Sequence, residues 1–154
     1  MQCSCSSKCD CSVTEILSKV LANTYVLYLK TQNVHWNVTG GLFREIHLMT
    51  EEHYNNLFLA IDMIAERIRM IGERSPATFE EFSKLSCISD KLQSSTDLEM
   101  VAELLDGHKA LCVVLKTAIK KIEESDDFGT LGLLGDRLNF HEKTVWMLQS
   151  TLTK

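Results

Sequence analysis

Apolar residues recur every three or four positions through most of this chain, which is the period of an amphipathic helix. The first stripe consists of Ile16, Val20, Leu27, Val34 and Val38. A capping-box pair, Ser12 with Glu15, precedes this stripe, and Gly40-Gly41 follows it. The pattern predicts a long helix over residues 13–38.

Three further stripes predict long helices over about residues 43–71, 97–124 and 130–151. Two more capping-box pairs lie between the second and third stripes. Thr78 with Glu81 predicts a short helix over 79–85, and Thr96 with Glu99 predicts the start of the next long helix. Four long helices with a short one in the middle connection indicate an all-α four-helix bundle.

The composition is that of one soluble domain. The chain has 154 residues, of which 45% are hydrophobic and 24% are charged. No apolar stretch of about 18 residues lacks charge, so no membrane span is expected. The net charge of −5 disfavours a generally basic, nucleic-acid-binding surface. Because no apolar signal segment follows Met1, we expect a cytoplasmic protein.

The second predicted helix carries potential metal ligands beside its apolar stripe, namely His47, Glu51, Asp62 and Glu66. At about 100° per residue, these four side chains point in similar directions. His47 and Asp62 are nevertheless 15 residues apart, which is about 22 Å along a helix. No metal site spans that distance, so the set divides into two half-sites. His35, near the end of the first helix, joins the histidine half-site.

One chain completes neither half-site well. An antiparallel two-fold pairing of this helix with its copy would place the carboxylate half-site of one subunit opposite the histidine half-site of the other, and would form two equal sites. The alternative is a set of solvated surface residues, in which His47 and Glu51 form an ordinary i,i+4 pair. The spacing alone leaves both interpretations open.

Several stretches together resemble the Dps family of miniferritins: LYLKTQNVHWNVTG at 27–40, FREIHLMTEEHY at 43–54, AIDMIAERIRMIGERSPATFEEF at 60–82 and HEKTVWMLQS at 141–150. The resemblance covers nearly all of residues 13–152. It implies a flexible tail over 1–12 and a ferritin-like four-helix bundle domain over 13–154. It also implies a hollow homododecamer of tetrahedral symmetry that is built from two-fold dimers.

The resemblance further implies a ferroxidase centre between two-fold-related subunits. Carried over by position, its iron ligands are His35, His47 and Glu51 of one subunit with Asp62 and Glu66 of the other. Many members of the family have Asp where this chain has Glu51. The implied reaction oxidises Fe(II) to Fe(III), preferentially with hydrogen peroxide rather than O2. The ferric product is stored as mineral, which protects against oxidative stress.

Trp36 matches a family tryptophan beside the centre that is thought to handle electrons or radicals. Filling the edge of the bundle would explain this residue equally well. A DNA-binding, nucleoid-protecting function is an alternative to iron oxidation, and family members often use a basic tail for it. Here the tail carries Lys8 and Asp10. A segment with so few positive charges binds the DNA phosphates weakly. We therefore expect DNA binding to be weak or absent.

Four of the six cysteines lie in the tail, as Cys3-x-Cys5 and Cys9-x-Cys11. Their thiolates could bind Zn, Cu or an iron–sulfur cluster, and the cage would then be a scaffold for a soft metal. Zinc ligands are usually separated by two or more residues, so the match is imperfect. A tail that binds no metal and cross-links between tails are the alternatives.

The other candidate residues are expected to be structural. His108 and His141 lie near the apolar stripes of the last two long helices, so we expect satisfied core or interface histidines. We expect His53 to be a surface or packing residue, and Cys112 to be a small buried hydrophobe. Asp126, Asp127 and Asp136 are candidate interior or pore carboxylates, but Asp126 and Asp127 lie in a predicted loop and are expected to be solvated.

Overall fold

The computed structural model describes residues 12–153, which form five helices. These are α1 (Val13–Asn37), α2 (Phe43–Met70), α3 (Phe79–Leu85), α4 (Asp97–Ile122) and α5 (Phe128–Leu152). The predicted all-α fold is confirmed, and the helix ends differ from the predicted ones by one or two residues. Within the described range, none of the helices combines the length and the apolar character that crossing a membrane requires.

The capping boxes predicted for α1 and α3 are present. In α1, the Ser12 hydroxyl accepts the backbone N–H of Glu15 while the Glu15 carboxylate accepts that of Ser12, both at 3.2 Å. The box predicted for α4 is wrong. The Thr96 hydroxyl donates to the Glu99 carboxylate at 2.7 Å and caps no backbone N–H, and the Asp97 carboxylate accepts the next backbone N–H instead.

The core lies between two helix pairs. α1 packs along α2, α4 packs along α5, and α1 also contacts α4. All five apolar residues of the first predicted stripe are buried. The largest fully buried side chains come from all four long helices and include Leu17, Leu27, Leu57, Ile64, Leu111, Leu115 and Leu134.

The connection from α2 to α4 crosses the length of the bundle, as its length predicted. The 28 residues of α2 span about 42 Å. The backbone N–H of Leu42, just before α2, nevertheless donates to the carboxylate of Asp97, the first residue of α4, at 3.3 Å. α2 and α4 therefore begin at the same end. Gly40 allows this contact, because its φ is 122° and a Cβ there would lie 2.8 Å from the Asp97 carboxylate.

Asp127 at the opposite end is not the solvated loop residue that was expected. It begins α5, where its carboxylate accepts the backbone N–H of Thr130 at 3.0 Å and pairs with Arg67 of α2. Burial raises the pKa of Asp127, but the hydrogen bonds from Thr130 and Arg67 outweigh this effect and lower the pKa below its usual value. The start of α5 is thereby fixed to the end of α2, so the two helices are antiparallel.

Candidate metal centre

The short loop over 38–42 brings His35, in the last turn of α1, against His47, in the second turn of α2. The two ring centroids are 3.8 Å apart, and the ring planes differ by 17°. Nδ1 of His35 lies 2.8 Å from the carbonyl oxygen of His47, and Nδ1 of His47 lies 2.9 Å from the carbonyl oxygen of His35. A carbonyl oxygen only accepts, so each Nδ1 carries the hydrogen. In the neutral tautomer with Nδ1–H, the Nε2 lone pair of each ring can bind a metal.

Neighbouring side chains hold this histidine pair in place. Phe43 stacks on His47 with ring centroids 5.1 Å apart, and Tyr54 meets His35 edge-on at the same separation. The Thr50 hydroxyl lies 3.3 Å from Nδ1 of His35. It donates to the carbonyl oxygen one turn earlier in α2. The orientation of the rings is therefore set by contacts that exist before any metal binds.

The three predicted carboxylate ligands are exposed on α2. Glu51 lies one turn beyond His47, whereas Asp62 and Glu66 lie at least 15 residues beyond it, which is about 22 Å or more along this continuous helix. The structure thus brings the two histidines together and leaves the second carboxylate pair apart. Across residues 12–153, no three His, Cys, Asp or Glu side chains of one chain are arranged to hold a metal ion.

The same helix exposes a row of large apolar side chains. Leu48, Phe58, Leu59, Met63 and Met70 are each between 49% and 69% exposed. Trp36, which follows His35 in α1, is 65% exposed. Burying one such side chain contributes about 1.5–3 kcal/mol, and contiguous exposed apolar surface is typical of contact with another protein.

Comparison with known proteins identifies the family. The chain matches the ferritin-like domain over residues 14–154. It is 35% identical to DNA protection during starvation protein 2 of Bacillus anthracis, over 92% of this chain and 97% of that protein. The structure of a Dps protein from Bacillus brevis is 34% identical and superposes with a TM-score of 0.88, over 92% of this chain and 95% of that one. The chain belongs to the Dps family of miniferritins.

A Dps protein from Vibrio cholerae O1 is also similar, with 33% identity and a TM-score of 0.88 over 92% of this chain and 89% of that one. That protein is described as a member of a broad superfamily of ferritin-like diiron-carboxylate proteins. The resemblance inferred from the sequence is therefore confirmed for the family and for the fold.

This Dps-family chain also contains a second histidine cluster, which was not predicted as a group. His53 of α2, His108 of α4 and His141 of α5 are all buried between the three helices. Ring centroids are 5.8 Å apart for His53 and His108, and 5.0 Å apart for His108 and His141. Nδ1 of His108 and Nδ1 of His141 are 2.9 Å apart, so one donates to the other. The guanidinium of Arg137 lies 4.5 Å from the centroid of the Phe140 ring beside them.

The expectation that His108 and His141 are satisfied core or interface histidines is right about their burial and wrong about their satisfaction. Nε2 of His108, Nε2 of His141 and Nδ1 of His53 are buried without a hydrogen-bond partner. Burial lowers the pKa of His53 to about 4 and that of His108 to about 3. Burial also lowers the pKa of His141, and the positive Arg137 nearby adds to this effect. The three rings are therefore neutral at pH 7.

The positions of these histidines along their helices carry a signal that could have revealed the cluster. His53 lies 10 residues from the start of α2, His108 lies 11 from the start of α4, and His141 lies 11 before the end of α5. These three helix ends are at the same end of the bundle, so the three residues share one level. The pattern becomes visible only once the helix directions are known.

Two of the six cysteines, Cys87 and Cys112, lie within the described residues. The candidate soft-metal ligands Cys3, Cys5, Cys9 and Cys11 lie outside the described residues. Cys112 is buried, as expected, and burial raises the pKa of its thiol.

Proposed function

We propose that this protein oxidises Fe(II) to Fe(III) at centres shared between two-fold-related subunits. The iron ligands would be His35, His47 and Glu51 of one subunit with Asp62 and Glu66 of the other. The observation that carries the proposal is the exchange of hydrogen bonds between His35 and His47, which fixes both rings and leaves both Nε2 atoms outside these hydrogen bonds, where they are available to a metal. Because Asp62 lies about 22 Å away on the same helix, a second copy must supply the remaining carboxylates.

The ligand set suits this reaction. Imidazole nitrogens bind Fe(II), whereas hard carboxylate oxygens favour the ferric product. Two Fe(II) ions each give one electron to one hydrogen peroxide molecule, which takes up two protons and forms two water molecules. No hydroxyl radical is released when both electrons are delivered at one site, which is why we favour peroxide over O2 as the oxidant. Trp36, exposed beside His35, would supply an electron when only one iron is bound.

Assembly would complete the function. The exposed apolar row on α2 fits burial against a second copy, and the family resemblance favours a shell of twelve subunits with tetrahedral symmetry. Twelve chains of net charge −5 would carry about −60, which attracts Fe(II) and favours storage of the ferric mineral inside. Removing Fe(II) and peroxide together would protect the cell against oxidative stress.

The experiment is complementation between two inactive variants. His35→Ala/His47→Ala lacks the histidine half-site, and Asp62→Asn/Glu66→Gln lacks the carboxylate half-site. We expect each variant alone to oxidise anaerobically bound Fe(II) slowly after peroxide is added, as followed by the ferric absorbance. A Glu52→Gln variant, altered at an exposed carboxylate beside the site, should keep the wild-type rate and serves as the matched control.

The two variants are then unfolded, mixed in equal amounts and refolded together. Random pairing makes half of the dimers mixed, and one of the two sites in each mixed dimer has every ligand intact, so about one quarter of the wild-type activity should return. Sizing must show that the assembly is unchanged. No recovery in correctly assembled mixtures would contradict a site shared between subunits, and a normal rate in either parent variant would contradict the assigned ligands.

A further inference from the structure

The second histidine cluster contains an unusual concentration of buried nitrogen atoms without partners. All the buried side-chain nitrogen or oxygen atoms that lack a hydrogen-bond partner among the described residues belong to it: His53 Nδ1, His108 Nε2, His141 Nε2, Arg137 Nε and Arg137 Nη2. An unpartnered buried polar atom is unfavourable, and more so when its group is charged. Three of these atoms belong to the histidines and two to Arg137, one turn before His141 on α5, so together they call for a ligand that the protein itself does not supply.

The positive charge of Arg137, beside the cluster, is offset in part by the carboxylate of its exposed neighbour Asp136, which raises the pKa of Arg137 without pairing with it. Arg137 is 8% exposed and forms none of the ion pairs seen within residues 12–153. One of its amino groups donates to the side-chain oxygen of Asn56 at 2.8 Å, and the face of Phe140 lies against the guanidinium. Burial lowers the pKa of Arg137 to about 10, so the group remains charged at pH 7. Both of its remaining unpartnered atoms are N–H donors, and they need an acceptor.

A metal ion does not fit this donor set. The guanidinium would repel a cation, and the three imidazoles are not arranged to hold one. A water molecule could accept hydrogen bonds but would leave Arg137 without an ion-pair partner, and an unpaired buried charge is unfavourable. A single negative charge would both accept from Arg137 and neutralise it.

We infer that the cluster binds a small monovalent inorganic anion, of the size of chloride or bromide, between Arg137 and the imidazoles of His108 and His141. The two unpartnered N–H groups of Arg137 donate to it, and so does Nε2–H of whichever of His108 and His141 accepts the shared hydrogen at Nδ1. Exposure rises from 0% at His108 to 8% at Arg137, so the ion enters from the Arg137 side. This site is separate from the proposed iron ligands and does not depend on iron chemistry.

The first test is crystallographic and uses the wild-type protein. Crystals soaked in sodium bromide should show an anomalous scattering peak within hydrogen-bond distance of Nη2 or Nε of Arg137. Three outcomes would overturn the proposal: a water molecule at this position, an empty cluster, or a bromide ion that binds at crystal concentration only. The solution measurement below separates specific binding from occupancy forced by the soak.

The second test compares Tm in sodium bromide with Tm in sodium gluconate at equal ionic strength, because gluconate is too large to enter. Bromide should raise the Tm of the wild-type protein by about 2–4 °C over gluconate. Arg69→Met, altered at an exposed arginine of α2, should keep this difference, and Arg137→Met should lose it. An equal response in all three proteins, or none in the wild type, would refute the site. If Arg137→Met does not assemble, the test rests on two measurements of the wild-type protein: the anomalous peak in the bromide-soaked crystal and the difference in Tm between bromide and gluconate.

Discussion

The two histidine groups of this bundle use the same side chain in opposite ways. His35 and His47 each donate from Nδ1 to the backbone carbonyl of the other, so both hydrogens are assigned and both Nε2 atoms can bind a metal. His108 and His141 instead share one hydrogen between their Nδ1 atoms, and both Nε2 atoms lie buried without partners. The difference shows that the partner of Nδ1, more than the presence of histidine, decides what the ring can bind.

The charges around the two groups differ as well. Glu51 lies one turn beyond His47, and Asp62 and Glu66 extend the acidic character of the same helix. The buried histidines instead lie beside Arg137, whose charge is influenced by one carboxylate, that of the exposed Asp136, which does not pair with it. One group therefore suits a cation and the other suits an anion, although both lie in the same bundle.

The largest expected effect separates the two groups by activity. His35→Ala should lower the rate of Fe(II) oxidation on the order of 100-fold, because a ligand that is already oriented is lost. His108→Leu removes a buried ring that contacts no proposed ligand, so the initial rate should stay within about twofold of the wild type. Stopped-flow absorbance after peroxide mixing measures both rates. A comparable loss in His108→Leu would mean that the buried cluster takes part in oxidation.

The second effect separates the groups by acid stability. The pKa of folded His108 is about 3, whereas its ordinary value is 6.5. Between these values the unfolded chain binds a proton that the folded chain does not, so stability is lost as pH falls from about 6.5 toward 3. The slope is about 1.4 kcal/mol per pH unit for one histidine. Urea unfolding at several pH values should show a shallower slope in His108→Leu than in the wild type.

Glu103 provides the internal reference for that measurement. Burial raises its pKa, but hydrogen bonds from Ser94, Lys30 and Gln93 outweigh this and lower the pKa to about 2. The stabilisation from Glu103 is therefore present above about pH 4.5 and is lost as the pH falls below that value. The loss from His108 begins at a higher pH, near 6.5. An unchanged slope between pH 6.5 and 5 in His108→Leu would contradict the role assigned to that histidine.

These contrasts mark what the sequence could predict. The helices were predictable because apolar spacing reports the buried face directly, and the separation of His47 from Asp62 was predictable because helical rise converts 15 residues into about 22 Å. The hydrogen bonds between His35 and His47 could not be predicted from the sequence, since they depend on the path of a five-residue loop. The cluster around His108 was missed because one histidine on an apolar stripe looks structural, and only the helix directions bring three of them to one level.

A smaller effect should come from the support of the histidine pair. Thr50 is fully buried, and its hydroxyl lies 3.3 Å from Nδ1 of His35. Thr50→Val keeps the shape of the side chain but removes this contact, so the ring of His35 should be held less firmly. We expect the oxidation rate to fall by less than about tenfold, with the assembly unchanged. Thr117→Val, at an exposed threonine of α4, is the matched control, and an equal fall in both variants would exclude a local effect.

The smallest expected effect on iron oxidation is that of removing residues 1–11. Helix α1 begins at Val13 under its own capping box, which Ser12 and Glu15 form, so the deletion leaves the helix start intact. The oxidation rate and the urea midpoint should therefore match those of the full chain. Mass spectrometry under reducing conditions should show at the same time whether the full chain binds Zn(II) or Cu(I) that the shortened chain does not. A large loss of oxidation in a correctly assembled shortened protein would place part of the iron chemistry in the cysteine-rich tail, and the His35/His47 pair would no longer explain it alone.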